Sequence, residues 1–310
     1  MNRFPLAFLL TVAVLAATPA FAADRLPVVA SFSILGDMAG RVGGDRVAVT
    51  TLVGPDGDAH VYEPTPDDIK AVAATKLLIV NGLGFEGWMD RLAEASGYGG
   101  PVTVASSGVA PREMAEAEDG DDHAEAGSHP DHHGIDPHAW QDVANAIVYV
   151  KNIAAGLDAA DPEGKPIYDA NAAAYIADLE GLDAEARAAM AALPADRRKI
   201  ITSHDAFGYF GAAYGLDLLA PEGVSTESEA SAADVARIIR QIREDAIPAI
   251  FVENIKDRRL IDQIAAETKA VVGGELYTDA LSEKDGPAPT YVDMIRHNIA
   301  TLTEALAPKP

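Results

Sequence analysis

The 310-residue chain contains no cysteine. That absence removes disulfide frameworks, thiolate nucleophiles, cysteine-based zinc sites and lipidated cysteine. Any metal chemistry must therefore use His, Asp and Glu. Basic residues are also scarce: 24 Lys+Arg face 48 Asp+Glu, for a net charge of −24 and a pI near 4.5. Nucleic-acid binding depends on Lys and Arg displacing counterions from phosphate, so this balance argues against nucleic acid as a partner. Beyond the first two dozen residues there is no apolar run long enough to cross a bilayer. What is present is 48% hydrophobic residues. That is enough to bury substantial cores in a chain whose length fits about two domains.

The N-terminus carries its own signature. Arg3 gives a positive start, residues 4–17 are apolar almost without interruption, and Ala20-Phe21-Ala22 offers an A-x-A cleavage pattern. Residues 1–23 are thus expected to be a secretory signal peptide. The mature chain is expected to be soluble after export and unlipidated, since no cysteine follows the signal.

Short apolar runs then alternate with amphipathic stretches, which predicts an α/β fold. Strands are expected at 28–32, 47–53, 77–80 and 102–105, with helices at 34–42, 66–74, 85–95 and 142–157. The second half repeats the scheme with strands at 199–202, 217–219, 249–252 and 270–272 and a terminal helix at 291–306. Val235, Ile238, Ile239 and Ile242 form the stripe of one buried helical face. The expected architecture is two lobes, each with a roughly four-stranded parallel sheet flanked by helices. The N-terminal lobe spans 24–160 and the C-terminal lobe 195–310, joined by a linker helix over 161–194. Pro162 suits its first turn and Pro194 stops it. A helix of about 30 residues would be about 45 Å long. The alternative is two shorter helices broken at Gly181.

Residues 111–136 stand apart in composition, with nine acids, one arginine and four histidines, a net charge of −8. This segment reads as a mobile loop, since it has little to pack into a core. His123, His129, His132 and His133 make it a candidate for secondary metal capture, against the plainer reading of a solvated acidic insertion.

Four histidines remain. His60 follows the strand at 47–53, His138 sits in Asp136-Pro-His-Ala-Trp140, and His204 comes directly after the strand at 199–202. Open α/β sheets bind ligands beyond the carboxyl ends of their strands, so these three can converge between the lobes. Asp279 occupies the equivalent loop after the last strand and is the fourth candidate. Three imidazoles and a carboxylate suit Zn²⁺ and argue against Mg²⁺ or Ca²⁺, which want oxygen. Affinity order alone would favour Cu²⁺. Asp58 and Glu63 are candidate acids to offset the charge of the ion. His297, in the terminal helix, is expected to serve surface or packing, and Trp140 to be a packing anchor beside His138.

Three segments in order carry a resemblance: Gly57-Asp-Ala-His-Val-Tyr-Glu-Pro-Thr-Pro-Asp-Asp68, Asp136-Pro-His-Ala-Trp140 and Thr202-Ser-His-Asp-Ala-Phe-Gly-Tyr-Phe210. Gly215-Leu and Ala249-Ile-Phe-Val-Glu-Asn254 add to it. From about residue 26 onward the chain resembles the metal-specific substrate-binding proteins of ABC transporters, the ZnuA-like group (cluster A-I, family 9), and within it the AztC type. The resemblance implies two α/β lobes joined by one long rigid helix, with the metal between them and held by His60, His138, His204 and Asp279. Manganese and iron members usually carry Glu at the third position and zinc members His, so His204 points to zinc, as does the acidic His-bearing loop.

The implied function is a monomeric periplasmic Zn²⁺ carrier that serves an ABC permease and its ATPase, with a periplasmic metallochaperone as a further candidate partner. Large hinge closure is not expected across a long helix, which leaves local motion around Asp279 or the His-bearing loop. The alternatives are a manganese or iron carrier, a secreted zinc hydrolase, and a zinc-buffering or adhesion protein. The hydrolase reading lacks an H-E-x-x-H motif, and Asp279 would fill the open position that catalysis needs. No enzymatic activity is expected.

Overall fold

A computed structural model describes residues 25–113 and 134–308. The signal-peptide segment 1–23 and the loop histidines His123, His129, His132 and His133 lie outside the described residues. The first lobe runs β1 (Leu26–Phe32), α1 (Ser33–Gly43), β2 (Val47–Val53), α2 (Pro66–Ala74), β3 (Leu77–Val80), α3 (Met89–Ser96) and β4 (Val102–Val104). Its sheet has the order β2-β1-β3-β4, with every pair parallel. The interior strand β3, Leu-Leu-Ile-Val, is buried at all four positions, as expected for a parallel strand covered on both faces. Local chemistry sets the helix starts. Thr65 and Asp68 form a reciprocal capping box around Pro66, which opens α2.

A two-residue antiparallel ribbon follows, β5 (Arg112–Glu113) with β6 (Ile135–Asp136), then α4 (Val143–Ala160) and α5 (Lys165–Ala191). The second lobe runs β7 (Lys199–Ile201), α6 (Gly208–Tyr214), β8 (Asp217–Leu219), α7 (Ala232–Glu244), β9 (Ala249–Glu253), α8 (Arg259–Glu267), β10 (Val271–Leu276) and α9 (Tyr291–Leu306). Its sheet, also parallel, has the order β10-β9-β7-β8. No helix among the described residues is long and apolar enough to cross a membrane.

The joining helix α5 is 27 residues long and continues through Gly181, so the broken-helix alternative is not what the chain adopts. Tyr168, Ala172, Tyr175, Leu179, Leu182, Ala186 and Met190 form its buried face. One hydrophobic core extends from β1 and β3 through α4 and α5 to Phe251, Leu276 and Tyr291 of the second lobe. A smaller core of Ile201, Ile238, Ile242, Ile250 and Ile261 lies between the second sheet and helices α7 and α8. The lobes therefore share packing and are not beads on a rod. Asp37 of α1 accepts a hydrogen bond from the backbone N–H of Tyr291 at the start of α9 (3.0 Å), and the Tyr291 hydroxyl donates to the Trp140 carbonyl (2.6 Å).

Three expectations need correction. The helix expected at 85–95 begins only at Met89. Gly82, Leu83 and Gly84 all have positive φ, and the Glu86 carboxylate accepts from the N–H groups of Asn81 and Gly82, which holds a tight turn there. The strand expected at 270–272 extends to Leu276, with a register irregularity between Val272 and Glu275. The segment 111–136 is not loop throughout. Backbone pairing of Arg112 with Asp136 closes its base, and Arg112 N–H also donates to the Tyr209 hydroxyl (2.8 Å). Such pairing needs no apolar side chains, which is why composition missed it.

A Cβ added at Gly181 would meet no atom within 4 Å. Gly181→Ala should therefore stabilise the protein by about 0.5–1 kcal/mol, because Gly in a helix interior costs that much relative to Ala. Urea unfolding should show a raised midpoint; a lowered one would mean that α5 bends at this position.

Candidate metal centre

Each candidate ligand is delivered by a loop at the carboxyl end of a strand. His60 follows β2, His138 follows β6, His204 follows β7 and Asp279 follows β10. The structure brings all four together, with their donor atoms within 4.8 Å of one another. His60 Nε2 lies 3.2 Å from His138 Nε2 and 3.3 Å from Asp279 Oδ2. His138 Nε2 is 3.6 Å from Asp279 Oδ1, and His204 Nε2 is 3.2 Å from Asp279 Oδ2. A tetrahedral ion with ligand bonds of about 2.0–2.1 Å has ligand–ligand edges of about 3.3–3.4 Å. The four observed spacings, 3.2–3.6 Å, lie near that length.

Burial makes the arrangement costly without a cation. His138, His204 and Asp279 are fully buried and His60 is 8% exposed. Neither oxygen of Asp279, nor Nε2 of His204, has a hydrogen-bond partner in the protein. Buried polar groups are normally paired, and unpaired ones aimed at a common point form a cation cradle.

Behind the ligands stand further carboxylates. Asp136 Oδ1 accepts from both the backbone N–H and Nδ1 of His138, each at 2.9 Å. Glu253 accepts from Ser203 N–H (2.7 Å) and His204 N–H (3.0 Å) and pairs with His204 Nδ1. In both cases the far ring nitrogen is engaged, so Nε2 faces the centre. Asp58 accepts from the His60 N–H (3.0 Å) and from the Thr226 hydroxyl (2.6 Å). Glu63 is exposed. The aromatic wall is Phe85, centred 4.8 Å from the His60 ring, and Trp140, 5.3 Å from the His138 ring. Trp140 is fully buried, as a packing anchor should be. His297 lies apart, its Nε2 3.0 Å from the Glu275 carbonyl and its ring against Tyr277.

The sequence reading missed Asp136 and Glu253 as supports. Asp136 has a visible signal, because Asp58-Ala-His60 repeats the Asp-x-His spacing of Asp136-Pro-His138. Glu253 has none in its own neighbourhood. Strand register finds it: Ile201 pairs with Ile250 in the parallel sheet, and the same offset sets His204 beside Glu253.

Asp279 sits on a segment with several contacts to the first lobe. Trp140 Nε1 (2.9 Å) and Gln141 Nε2 (2.8 Å) both donate to the Thr278 carbonyl. Leu281 N–H donates to Ser33 Oγ (2.9 Å), and its carbonyl accepts from Asp56 N–H (2.9 Å). The Asp279 loop is thus tied across the seam to the first lobe.

The electrostatics follow from burial and these neighbours. Burial lowers the His60 pKa against the pull of Asp279. Burial also opposes protonation of His204, but Glu253 and then Asp279 overcome it and hold that imidazole well above its ordinary pKa. Asp279 is pushed up by burial, yet the facing His138 and His204 hold it well below the usual carboxylate range.

Comparison with known proteins adds independent findings. A family model described as "ZnuA: Zinc-uptake complex component A periplasmic" matches residues 28–305. The chain is 34% identical over 285 residues to the manganese-binding lipoprotein MntA of Halalkalibacterium halodurans, covering 92% of this chain and 89% of that one. It is 32% identical over 287 residues to the iron-binding protein YfeA of Yersinia pestis, covering 92% and 88%. Among solved structures, the periplasmic zinc binding protein TroA from Treponema pallidum superposes with a TM-score of 0.83 at 31% identity, covering 92% of this chain and 100% of that one.

The raised pKa of His204 favours its protonated form, with which a cation on Nε2 competes. Metal binding should release protons near pH 7, and apparent affinity should rise with pH through the neutral range. Calorimetry in buffers of different ionisation enthalpy reads this directly; heats independent of the buffer would contradict it.

Proposed function

Because the chain belongs to the ZnuA family, it is an extracytoplasmic metal-binding component of an ABC importer, and we propose that its cargo is Zn²⁺. The observation that carries this reading is the donor set: three imidazole nitrogens and one carboxylate, buried and converging within 4.8 Å of one another. Relatives named for manganese, iron and zinc all share the fold, so likeness alone does not choose the ion. Donor chemistry supports zinc. Manganese favours octahedral, oxygen-rich surroundings, whereas imidazole suits zinc. In this reading the outer carboxylates Asp136 and Glu253 strengthen two of the three imidazoles, which favours a nitrogen-seeking ion.

The protein captures the ion outside the cytoplasm and passes it to a membrane permease driven by an ATPase. All four donors come from one chain, so the site is complete in a monomer. Several relatives are named lipoproteins, including those of Halalkalibacterium halodurans and Streptococcus pneumoniae. None of the 310 residues here is a cysteine able to carry a thioether-linked lipid, which supports a freely diffusing periplasmic carrier. The shared core disfavours wide opening of the lobes, and His60 is the only one of the four ligands with any exposed surface. The ion therefore enters and leaves on the His60 side. Asp279 occupies the position that a catalytic zinc leaves to water, which argues for carriage over hydrolysis.

Purified protein should bind one Zn²⁺ tightly and hold it against excess Mn²⁺ in competitive titration. His204→Ala should weaken zinc by more than the roughly 10–100-fold that losing an outer partner costs. Preference of the unaltered protein for Mn²⁺ would overturn the zinc assignment.

A further inference from the structure

Glu253 is a fully buried carboxylate at the end of the interior strand β9. Burying such a charge is expensive unless donors surround it. Among the described residues no Lys or Arg supplies them: its ionisable partner there is His204, while the nearby Lys256 pairs with Glu222 at 2.7 Å. Its three partners all belong to the Ser203-His204 pair: two backbone N–H groups and the His204 ring. The parallel register that sets Ile201 beside Ile250 places the two residues in this relation. A neutral side chain of similar size would fill the same space, so packing does not explain a charge at this position.

Building on the zinc reading above, we propose that Glu253 is a positioning residue that selects the metal by acting through His204. Gripping the backbone N–H and Nδ1 together fixes the ring in one tautomer with Nε2 aimed at the ion. The negative charge behind the ring makes Nε2 a stronger donor. Ions that gain most from nitrogen ligation benefit most, so the carboxylate widens the gap between zinc and manganese. Among the described residues no carboxylate backs His60 on Nδ1, and Asp58 accepts only from its backbone N–H. Selectivity is therefore concentrated on the buried side of the centre, away from the exposed ligand.

The test is competitive titration of Zn²⁺ and Mn²⁺ against full-length wild type, Glu253→Gln and Glu253→Asp, with the Co²⁺ absorption spectrum as a geometry readout. Glu253→Gln should lose about 10–100-fold in zinc affinity and distinctly less in manganese affinity, while keeping an intense tetrahedral Co²⁺ spectrum. Glu253→Asp, which retains the charge, should lie nearer to wild type. Equal losses for both metals, or equal losses in the two variants, would reduce Glu253 to a spacer and overturn the proposal. So would unchanged zinc affinity in Glu253→Gln. Failure of the wild type itself to prefer zinc would instead sink the cargo assignment, so the two readings fail separately.

Discussion

The hydrogen bonds that Trp140 and Gln141 send across the seam to the Thr278 carbonyl hold together everything the centre requires. Asp279 is the next residue, and its carboxylate must face imidazoles from both lobes at about van der Waals distance. Leu281, tied on both its N–H and its carbonyl to the first lobe, fixes the other side of the same loop. The shared core beneath, running through α4, α5 and α9, packs the two lobes together below that loop. A metal centre assembled from two sheets is only as well defined as the seam between them, and here the seam is both packed and hydrogen-bonded.

Charge balance at the centre follows from the same burial. Asp136, Glu253 and Asp279 are buried carboxylates near one point, and a divalent cation offsets most of their charge. Glu253 and Asp279 flank the His204 ring and favour its protonated form. Proton and metal thus compete for one nitrogen, which couples cargo binding to pH through ordinary linkage. The net charge of −24 acts at longer range. It raises the local concentration of cations around the protein and says nothing about which cation is kept.

Two scales of selectivity can therefore be separated. The acidic surface attracts cations in general and is screened by salt. In the proposed zinc reading the buried donor set discriminates among them, because nitrogen ligation and the carboxylates behind the rings weigh differently on each ion. Asymmetry within the set matters as well: two imidazoles are backed by carboxylates, while His60 lies nearest to solvent and has only its backbone held.

Much of this was legible in one dimension. Apolar runs marked most of the eight sheet strands in the two lobes, because a buried parallel strand must be apolar along its length. The 3–4 spacing of Tyr168 to Met190 marked α5, because a helix with a buried stripe must repeat near 3.6. His60, His138, His204 and Asp279 were legible from their place after strands. What the sequence by itself determined is thus most of the sheet strands, the long joining helix and the chemical identity of the candidate donors. Only the tertiary structure decided that Glu253 stands behind His204, that Arg112 and Asp136 close a ribbon, and that the Asp279 loop is held across the seam. Those relations join residues distant along the chain, and strand register and lobe packing, not local propensity, set the distances between them.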